Sequence, residues 1–215
     1  MSGVVERKQS GNEISKVVKI IQKGGIVAYP TETFYGLGGN ALDERTVTRV
    51  FQIKRRPFHK PISILIPGLK WLERLVVDIP PLAQDLIKAY WPGPLTIVFK
   101  AKTIIPSILT GFTGKIGIRI SSHPLAQKLL QELDLPLTAT SANISGHPPP
   151  TKVTEIEEKL KSQIEAVLDG GQTKGNLPST VVDLTISPAR IVRPGVINLA
   201  TSPFSLYFTS YAHRH

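Results

Sequence analysis

The strongest constraint on the fold is the alternation of short apolar runs with stretches whose apolar residues recur at helical spacing. The short runs predict strands at 25–29, 62–66, 95–100, 115–120, 137–140, 166–168, 180–184 and 190–192. The helical patterns cover 14–21, 43–56, 82–90, 125–133 and 152–161. Helices that fall between strands predict a mixed α/β (α+β) fold.

The chain has 215 residues, of which 41% are hydrophobic, enough for one sizeable core. The 18 prolines and 17 glycines are spread through the turns, and no linker or repeat is evident. We therefore predict a single domain over 1–215, with a core at about 14–197 and a C-terminal tail at 198–215. Because the tail contains Phe204, Tyr207, Phe208 and Tyr211, we expect it to dock on the body.

No apolar stretch approaches the roughly 18 to 20 residues of a membrane span, and the first residues lack the apolar segment of a secretory signal. We expect a cytoplasmic protein without membrane contact. The absence of cysteine excludes disulfides, thiolate metal sites and thiol nucleophiles. The five histidines have no ligand-like spacing, so we assign no metal site to the protein side chains.

The net charge of +10 is unevenly distributed. Residues 45–131 contain fourteen Lys and Arg against three acids, a local excess of +11. Such an excess favours an anionic partner, either a nucleic acid backbone or a polyphosphate ligand, although a solvated basic face is also consistent with it.

Four of these cations, Lys54, Arg55, Arg56 and Lys60, lie within seven residues at the end of a predicted helix. Their mutual repulsion would be relieved by a polyphosphate, because a guanidinium can grip two phosphate oxygens and an ammonium acts as a point charge. The alternative is a solvated helix end, where cations suit the helix dipole. The segment alone does not separate these two interpretations.

The familiar nucleotide and hydrolase motifs are missing. There is no Walker sequence, no Gly-x-Ser-x-Gly turn and no His-Glu-x-x-His helix. Gly36, Gly38 and Ala41 fit a dinucleotide glycine pattern, but six residues separate them from the preceding strand, which removes the tight turn that the pattern serves.

Ser141-Ala142-Asn143 follows a predicted strand. The carboxyl end of a strand is where open α/β sheets form ligand crevices, and both polar side chains can donate to phosphate or ribose oxygens. A simple turn explains the triplet equally well, because Ser and Asn bond readily to nearby backbone.

Further motifs occur in order along the chain: Pro30-Thr31-Glu32-Thr33 with Tyr35-Gly36-Leu37, Lys54-x-Arg56-Pro57, Trp91-Pro92-Gly93-Pro94-Leu95-Thr96, Arg119, Ser141-Ala142-Asn143-Ile144-Ser145-Gly146, Asp169-Gly170-Gly171, Ser179-Thr180-Val181-Val182-Asp183 and Arg193-Pro194-Gly195. Together they resemble the short, single-domain form of the YrdC-like threonylcarbamoyl-AMP synthase family. The resemblance covers about 24–195 and implies a twisted mixed sheet flanked by helices around a large basic cavity. Longer relatives carry a second domain, for which we expect no room here.

The resemblance also implies the site residues. Nucleotide contacts are expected at Lys54, Arg56, Lys60, Ser141, Asn143 and Arg193, and L-threonine contacts at Thr33, Tyr35, Arg119 and Ser179. Lys54 and Arg56 are the predicted catalytic residues. Glu32 is interpreted as a structural anchor of the long 30–40 connection and is left out of the site.

The implied activity forms threonylcarbamoyl-AMP and pyrophosphate from ATP, L-threonine and bicarbonate, with Mg²⁺ carried by ATP. The product serves a downstream threonylcarbamoyl transferase that modifies an adenosine in tRNA, so contact with tRNA or double-stranded RNA is also expected. Three positions depart from the family pattern: Arg55 replaces a common glycine, Leu65 a histidine near the threonine, and Pro149 a serine near the nucleotide.

Two alternatives stay open. A carbamoyl-adenylate-forming enzyme, as in similar domains of hydrogenase-maturation proteins, would use carbamoyl phosphate, and Leu65 is the reason to consider it. A non-catalytic RNA-binding module would follow a phosphate backbone with the basic segment and stack bases on Phe58, Trp71 and Trp91.

Overall fold

One sheet of ten strands runs through residues 10–209, the part of the chain that this computed structural model describes. The strands are β1 (Val27–Tyr29), β2 (Gly36–Gly38), β3 (Ser63–Leu65), β4 (Leu95–Lys100), β5 (Lys115–Arg119), β6 (Leu137–Ser141), β7 (Ala166–Val167), β8 (Thr180–Asp183), β9 (Ala189–Arg193) and β10 (Phe208–Thr209). The helices are α1 (Ser10–Gln22), α2 (Glu44–Lys54), α3 (Leu69–Leu75), α4 (Pro81–Tyr90), α5 (Pro124–Leu133) and α6 (Glu158–Lys161).

The sheet is mixed, in the order β10-β9-β8-β4-β5-β3-β6-β2-β1-β7. Its central strand β3 runs parallel to β5 and antiparallel to β6, and β4 pairs antiparallel with β5 and parallel with β8. The predicted fold class, a mixed sheet flanked by helices, is confirmed. This order places the start of β4, the end of β5 and the start of β8 near one another, although they are distant in sequence.

Side-chain alternation along the strands builds two cores. Ala28 and Ile64 point toward α2, α3 and α4, in the larger core. Val27, Leu65 and Leu137 point to the other face, where they pack against α1 and α5. Both helices are amphipathic and bury their apolar stripes there.

Local sequence explains the helix ends around the site. The Asp43 side chain caps α2 by accepting from the backbone of Arg45 and Thr46. The same helix ends at Arg55, whose left-handed φ of 51° turns the chain before Pro57. His123 caps α5 through Nδ1, which accepts from Leu125 N at 3.3 Å.

Two expectations about the local structure are wrong. The glycine-rich 36–38 segment is a strand, not a loop, because it pairs antiparallel with β1 and β6. The Tyr29 ring covers β2 so closely that a Cβ on Gly38 would lie 2.5 Å from it, which explains the glycine there. The predicted 152–161 helix is broken into a 3-10 turn at Val153–Glu155 and the short α6. The break brings Ile156 into the larger core.

The tail docks as predicted as far as residue 209. Phe204 packs edge-on against Tyr90 with ring centroids 6.0 Å apart, and β10 adds a parallel strand beside β9. Tyr207 is more than half exposed. Tyr211 lies outside the described residues.

Candidate active site

A cavity of about 330 Å³ opens on the face of the sheet that carries α1 and α5. Ser63 and Leu65 share this face because they are two residues apart in β3, yet Leu65 is packed under the helices and Ser63 lines the cavity. The same change from apolar to polar occurs along β6, from Leu137 to Ser141. The cavity is therefore the part of this face that α1 and α5 leave uncovered.

The charged residues of the cavity wall are all basic among the described residues. Among the described residues, three arginines (Arg56, Arg119 and Arg193) line the cavity and no aspartate or glutamate does. Hydroxyl and amide groups make up much of the remaining polar wall, from Thr31, Thr33, Tyr35, Ser63, Thr96, Thr140, Ser141, Asn143 and Ser179. Such a wall suits an anionic ligand with several hydrogen-bonding groups.

Lys54 is almost completely buried, with 2% of its surface exposed. Its ammonium donates to the carbonyl oxygens of Ser141 and Asn143 at 2.5 and 2.7 Å, and its own carbonyl accepts from Ser145 N at 2.9 Å. Burial, with a smaller contribution from Arg56, lowers the pKa of Lys54 to about 7. Lys54 lies behind the cavity wall and holds the turn after β6 to the end of α2.

Arg56 does line the cavity. Its Nε donates to Lys60 O at 2.9 Å and its Nη2 to Pro61 O at 2.8 Å, which fixes the plane of the guanidinium. Partial burial lowers its pKa. These two bonds use two of five N–H groups, so others remain for a ligand. The Lys60 side chain, by contrast, is exposed and outside the cavity wall.

Ser141 and Asn143 reach the cavity from the turn that Lys54 holds. The Asn143 amide nitrogen donates to the carbonyls of Ile144 and His147 at 3.0 and 2.6 Å. Its Oδ1 is buried without a hydrogen-bond partner among the described residues. Such an orphaned acceptor is costly to bury, and a donor on a ligand would satisfy it. We call Lys54, Arg56, Ser141 and Asn143 the β6 side of the cavity.

The opposite wall has a buried ion pair. Arg119, at the end of β5, donates through Nη1 to Glu32 Oε1 at 2.9 Å, with side-chain exposures of only 8% and 11%. The other Glu32 oxygen accepts from the Ser121 hydroxyl. The interpretation of Glu32 as an anchor is confirmed, because it ties the loop after β1 to the end of β5.

Ser179, Thr96 and Arg193 form a second cluster on this wall. Ser179 Oγ lies 2.9 Å from Thr96 Oγ1 and accepts from Arg193 Nη2, also at 2.9 Å. Arg193 donates further to Ser179 O. Burial, with repulsion from Arg119 and Arg56, lowers the pKa of Arg193. We call Glu32, Thr96, Arg119, Ser179 and Arg193 the β5 side.

Thr33 and Tyr35, from the loop before β2, line the cavity between these sides. Thr33 Oγ1 lies 3.1 Å from Thr31 Oγ1. The Tyr35 hydroxyl is held by the 169–171 turn, since it donates to Gly171 O at 2.7 Å and accepts from Gly170 N at 3.1 Å. Burial raises the pKa of Tyr35 to about 12. Its hydroxyl is thus committed to the fold.

The cavity brings together eight of the ten predicted site residues and leaves Lys54 and Lys60 off its wall. Pro149 lines it, whereas Leu65 does not. Of the aromatic residues considered for base stacking, Trp71 is buried and bonded to Asp134, and Trp91 donates to Leu95 O at 2.7 Å. Only Phe58 of the three keeps substantial exposure, 43%, and it packs on Phe51.

Sequence reasoning missed Thr96 and Thr31 as residues of the wall. Thr96 lies inside a motif that was used only for the resemblance, and its hydroxyl meets Ser179 across the parallel β4 and β8 pair. A polar residue inside an apolar strand was the available signal, because a buried hydroxyl needs a partner.

Comparison with known proteins identifies the family. The model of the Sua5, YciO and YrdC family, described as telomere recombination, matches residues 19–195. The chain belongs to this family. Its relatives include the threonylcarbamoyl-AMP synthase of Pyrococcus abyssi, 44% identical over 179 residues that cover 83% of this chain and 53% of the relative. The threonylcarbamoyl-AMP synthase of Bacillus subtilis is 36% identical over 187 residues, or 86% of this chain and 54% of that relative.

A solved structure of the same family, P. abyssi Sua5 complexed with L-threonine, is similar with a TM-score of 0.84 and 42% identity. The match covers 88% of this chain and 56% of that chain. This member of the Sua5, YciO and YrdC family thus spans about half the length of these relatives.

Residues 10–209 contain no helix that is both long and apolar enough to cross a membrane. In the same residues no three His, Asp or Glu side chains cluster as metal ligands would.

Proposed function

We propose that this chain is a cytoplasmic threonylcarbamoyl-AMP synthase, a nucleotidyltransferase that forms threonylcarbamoyl-AMP and pyrophosphate from ATP, L-threonine and bicarbonate. One observation carries the proposal. Among the described residues, the cavity wall contains three arginines and no aspartate or glutamate. The two relatives are named threonylcarbamoyl-AMP synthases and the P. abyssi protein binds L-threonine, which supports this reaction.

The two sides of the cavity suit different parts of these substrates. On the β6 side, Arg56 donates to backbone carbonyls and meets no carboxylate among the described residues, so its positive charge is uncompensated and suits the phosphates of ATP. On the β5 side, Glu32 offsets one of two arginine charges, which leaves a charge that suits a single carboxylate. ATP therefore binds along the β6 side and threonine along the β5 side.

The reaction joins the two substrates that are bound on these two sides. The neutral threonine amine attacks the carbon of bicarbonate, and loss of water leaves a carbamate. A carbamate oxygen then attacks the α-phosphorus of ATP, and the bond to the bridging oxygen breaks to release pyrophosphate. Carbamate and triphosphate repel each other. Arg193, on the β5 side, offsets the charge of the carbamate, and Arg56 offsets the charge that builds on the phosphates. Catalysis in this proposal comes from positioning and charge stabilisation.

Magnesium enters as part of the nucleotide substrate. The cavity wall of the described chain offers arginines, hydroxyls and amides, which are not the carboxylate ligands that Mg²⁺ prefers. The donor set therefore fits a metal held by the phosphates of ATP, where it would neutralise their charge.

The product is an activated carbamoyl group, so a downstream transferase must carry it to an adenosine of tRNA. The charge excess at 45–131 supports direct contact with tRNA or double-stranded RNA. A purely RNA-binding module is the weaker alternative, because of the three aromatic residues expected to stack bases Trp71 is buried and Trp91 is only partly exposed, with its indole N–H bonded to Leu95 O.

The test is mass spectrometry of a short incubation with ATP, magnesium and bicarbonate, with and without L-threonine, together with a pyrophosphate assay. Threonine-dependent threonylcarbamoyl-AMP is the expected result. If product forms only with carbamoyl phosphate, the carbamoyl-adenylate alternative replaces the proposal. If no adenylate forms with any of these substrates or with serine, the proposal is wrong.

A further inference from the structure

Glu32 is the one acid that the described residues place against a cavity arginine. Its two oxygens are held by different partners: Oε1 by Arg119 Nη1 and Oε2 by the Ser121 hydroxyl. Ser121 Oγ in turn accepts from His123 N at 3.2 Å, at the start of α5. The carboxylate is thus fixed from both ends of a short, buried network.

This geometry argues against a role for Glu32 as a proton acceptor. Both oxygens already accept from fixed donors, and its side chain is 11% exposed and outside the cavity wall. What the contacts do determine is the position of Arg119. A flexible guanidinium loses rotamer entropy when it binds a ligand, and a fixed carboxylate on one N–H removes that loss in advance.

We propose that Glu32 is a positioning residue, which orients Arg119 to bind the carboxylate of the amino-acid substrate. The inference rests on the proposed function and adds a residue to it. Through Nη1 the ion pair uses one edge of the guanidinium and leaves further N–H groups for the substrate. Repulsion from Arg119 contributes to the lowered pKa of Arg193. Glu32 also offsets part of this repulsion, because it pairs with Arg119. Ser121 supports this role by holding the far oxygen of the same carboxylate.

The test compares Glu32→Gln with Glu165→Gln. Glu165 makes the matched control, because it pairs with Arg49 at the same kind of distance, 2.8 Å, on the surface. Pyrophosphate release is measured with threonine and ATP varied separately, together with threonine binding by calorimetry and thermal unfolding. We expect Glu32→Gln to raise the KM for threonine about tenfold and leave the KM for ATP within about twofold, because the change weakens a charge-assisted contact that faces one substrate only.

A double substitution tests whether Glu32 acts through Arg119. If it does, adding Glu32→Gln to Arg119→Lys raises the KM for threonine no further, since the effects of coupled residues are not additive. Ser121→Ala provides a second variant should Glu32→Gln fail to fold. It is expected to raise the same KM about threefold, as the loss of one hydrogen bond.

The outcomes separate the two claims. The positioning role alone is overturned if the wild type depends on threonine but Glu32→Gln and Ser121→Ala leave the KM for threonine unchanged. An equal rise in both KM values with a lower melting temperature assigns Glu32 to loop stability only, which also overturns it. The positioning role is also overturned if the fold-changes in the threonine KM from Glu32→Gln and Arg119→Lys multiply in the double variant. A wild type that neither binds nor turns over threonine overturns the proposed function and this inference with it.

Discussion

The two sides of the cavity obtain their charge in different ways. On the β6 side, neighbouring residues at the end of α2 supply the cations, and these donate to backbone carbonyls of the protein itself. On the β5 side, the arginines come from different strands and contact side chains, Glu32 and Ser179. In the first arrangement Arg56 meets no carboxylate among the described residues, whereas in the second Arg119 is partly neutralised by Glu32. Changes on either side should therefore affect different substrates.

The largest effect is expected from Arg56→Ala. The variant removes the cavity cation of the β6 side, and kcat/KM for ATP should fall about 100-fold, as when a group that stabilises transition-state charge is lost. Arg55→Ala is the matched control, because Arg55 is exposed and next in sequence. Steady-state kinetics with ATP varied make the measurement. Near-normal turnover of Arg56→Ala would remove the distinction between the two sides.

Lys54→Met tests whether the buried ammonium holds the turn after β6. Two buried carbonyls lose their donor, so the free energy of unfolding should fall by about 2 kcal/mol. Urea denaturation measures it, with Lys60→Met as the control because the Lys60 side chain is exposed. Equal, small losses in both variants would contradict the assigned role of Lys54.

The pH dependence of stability gives a second test of Lys54. Burial lowers its pKa to about 7 from 10.5, so between these values the unfolded chain binds more protons at this residue than the folded protein does. Stability from Lys54 therefore rises with pH across this window. The difference in unfolding free energy between wild type and Lys54→Met should grow from pH 7 to pH 10. Urea denaturation at several pH values measures this difference. If the difference in unfolding free energy stays constant, the lowered pKa of Lys54 is contradicted.

A smaller effect than these is expected from Thr96→Val, on the β5 side. The variant keeps the shape of the side chain and removes its hydrogen bond to Ser179, so the KM for threonine should rise about fivefold while that for ATP stays unchanged. Thr48→Val serves as the control, because its hydroxyl bonds to Glu44 O on α2, away from the cavity wall. A change in the KM for ATP alone would reverse the assignment of the two sides.

Most of the fold could be predicted from the sequence, and strand β2 shows why part of it could not. The 137–140 and 95–100 runs are strands because their apolar residues suit a buried sheet wherever they pair. Strand β2 was missed because Gly36 and Gly38 have little intrinsic preference for strands. Their strand conformation depends on antiparallel pairing with β1 and β6, and the Tyr29 ring leaves no room for a side chain at Gly38.

The sequence by itself determined the family, the end of α2 before Pro57 and the basic character of the site. Only the tertiary structure decided that Lys54 turns away from the cavity, and that Glu32 and Arg119, 87 positions apart, form an ion pair. The physical reason is that helix ends and apolar periodicity depend on residues within a few positions. Hydrogen-bond partners depend on strand order and register, which bring distant residues together at the same edge of the cavity.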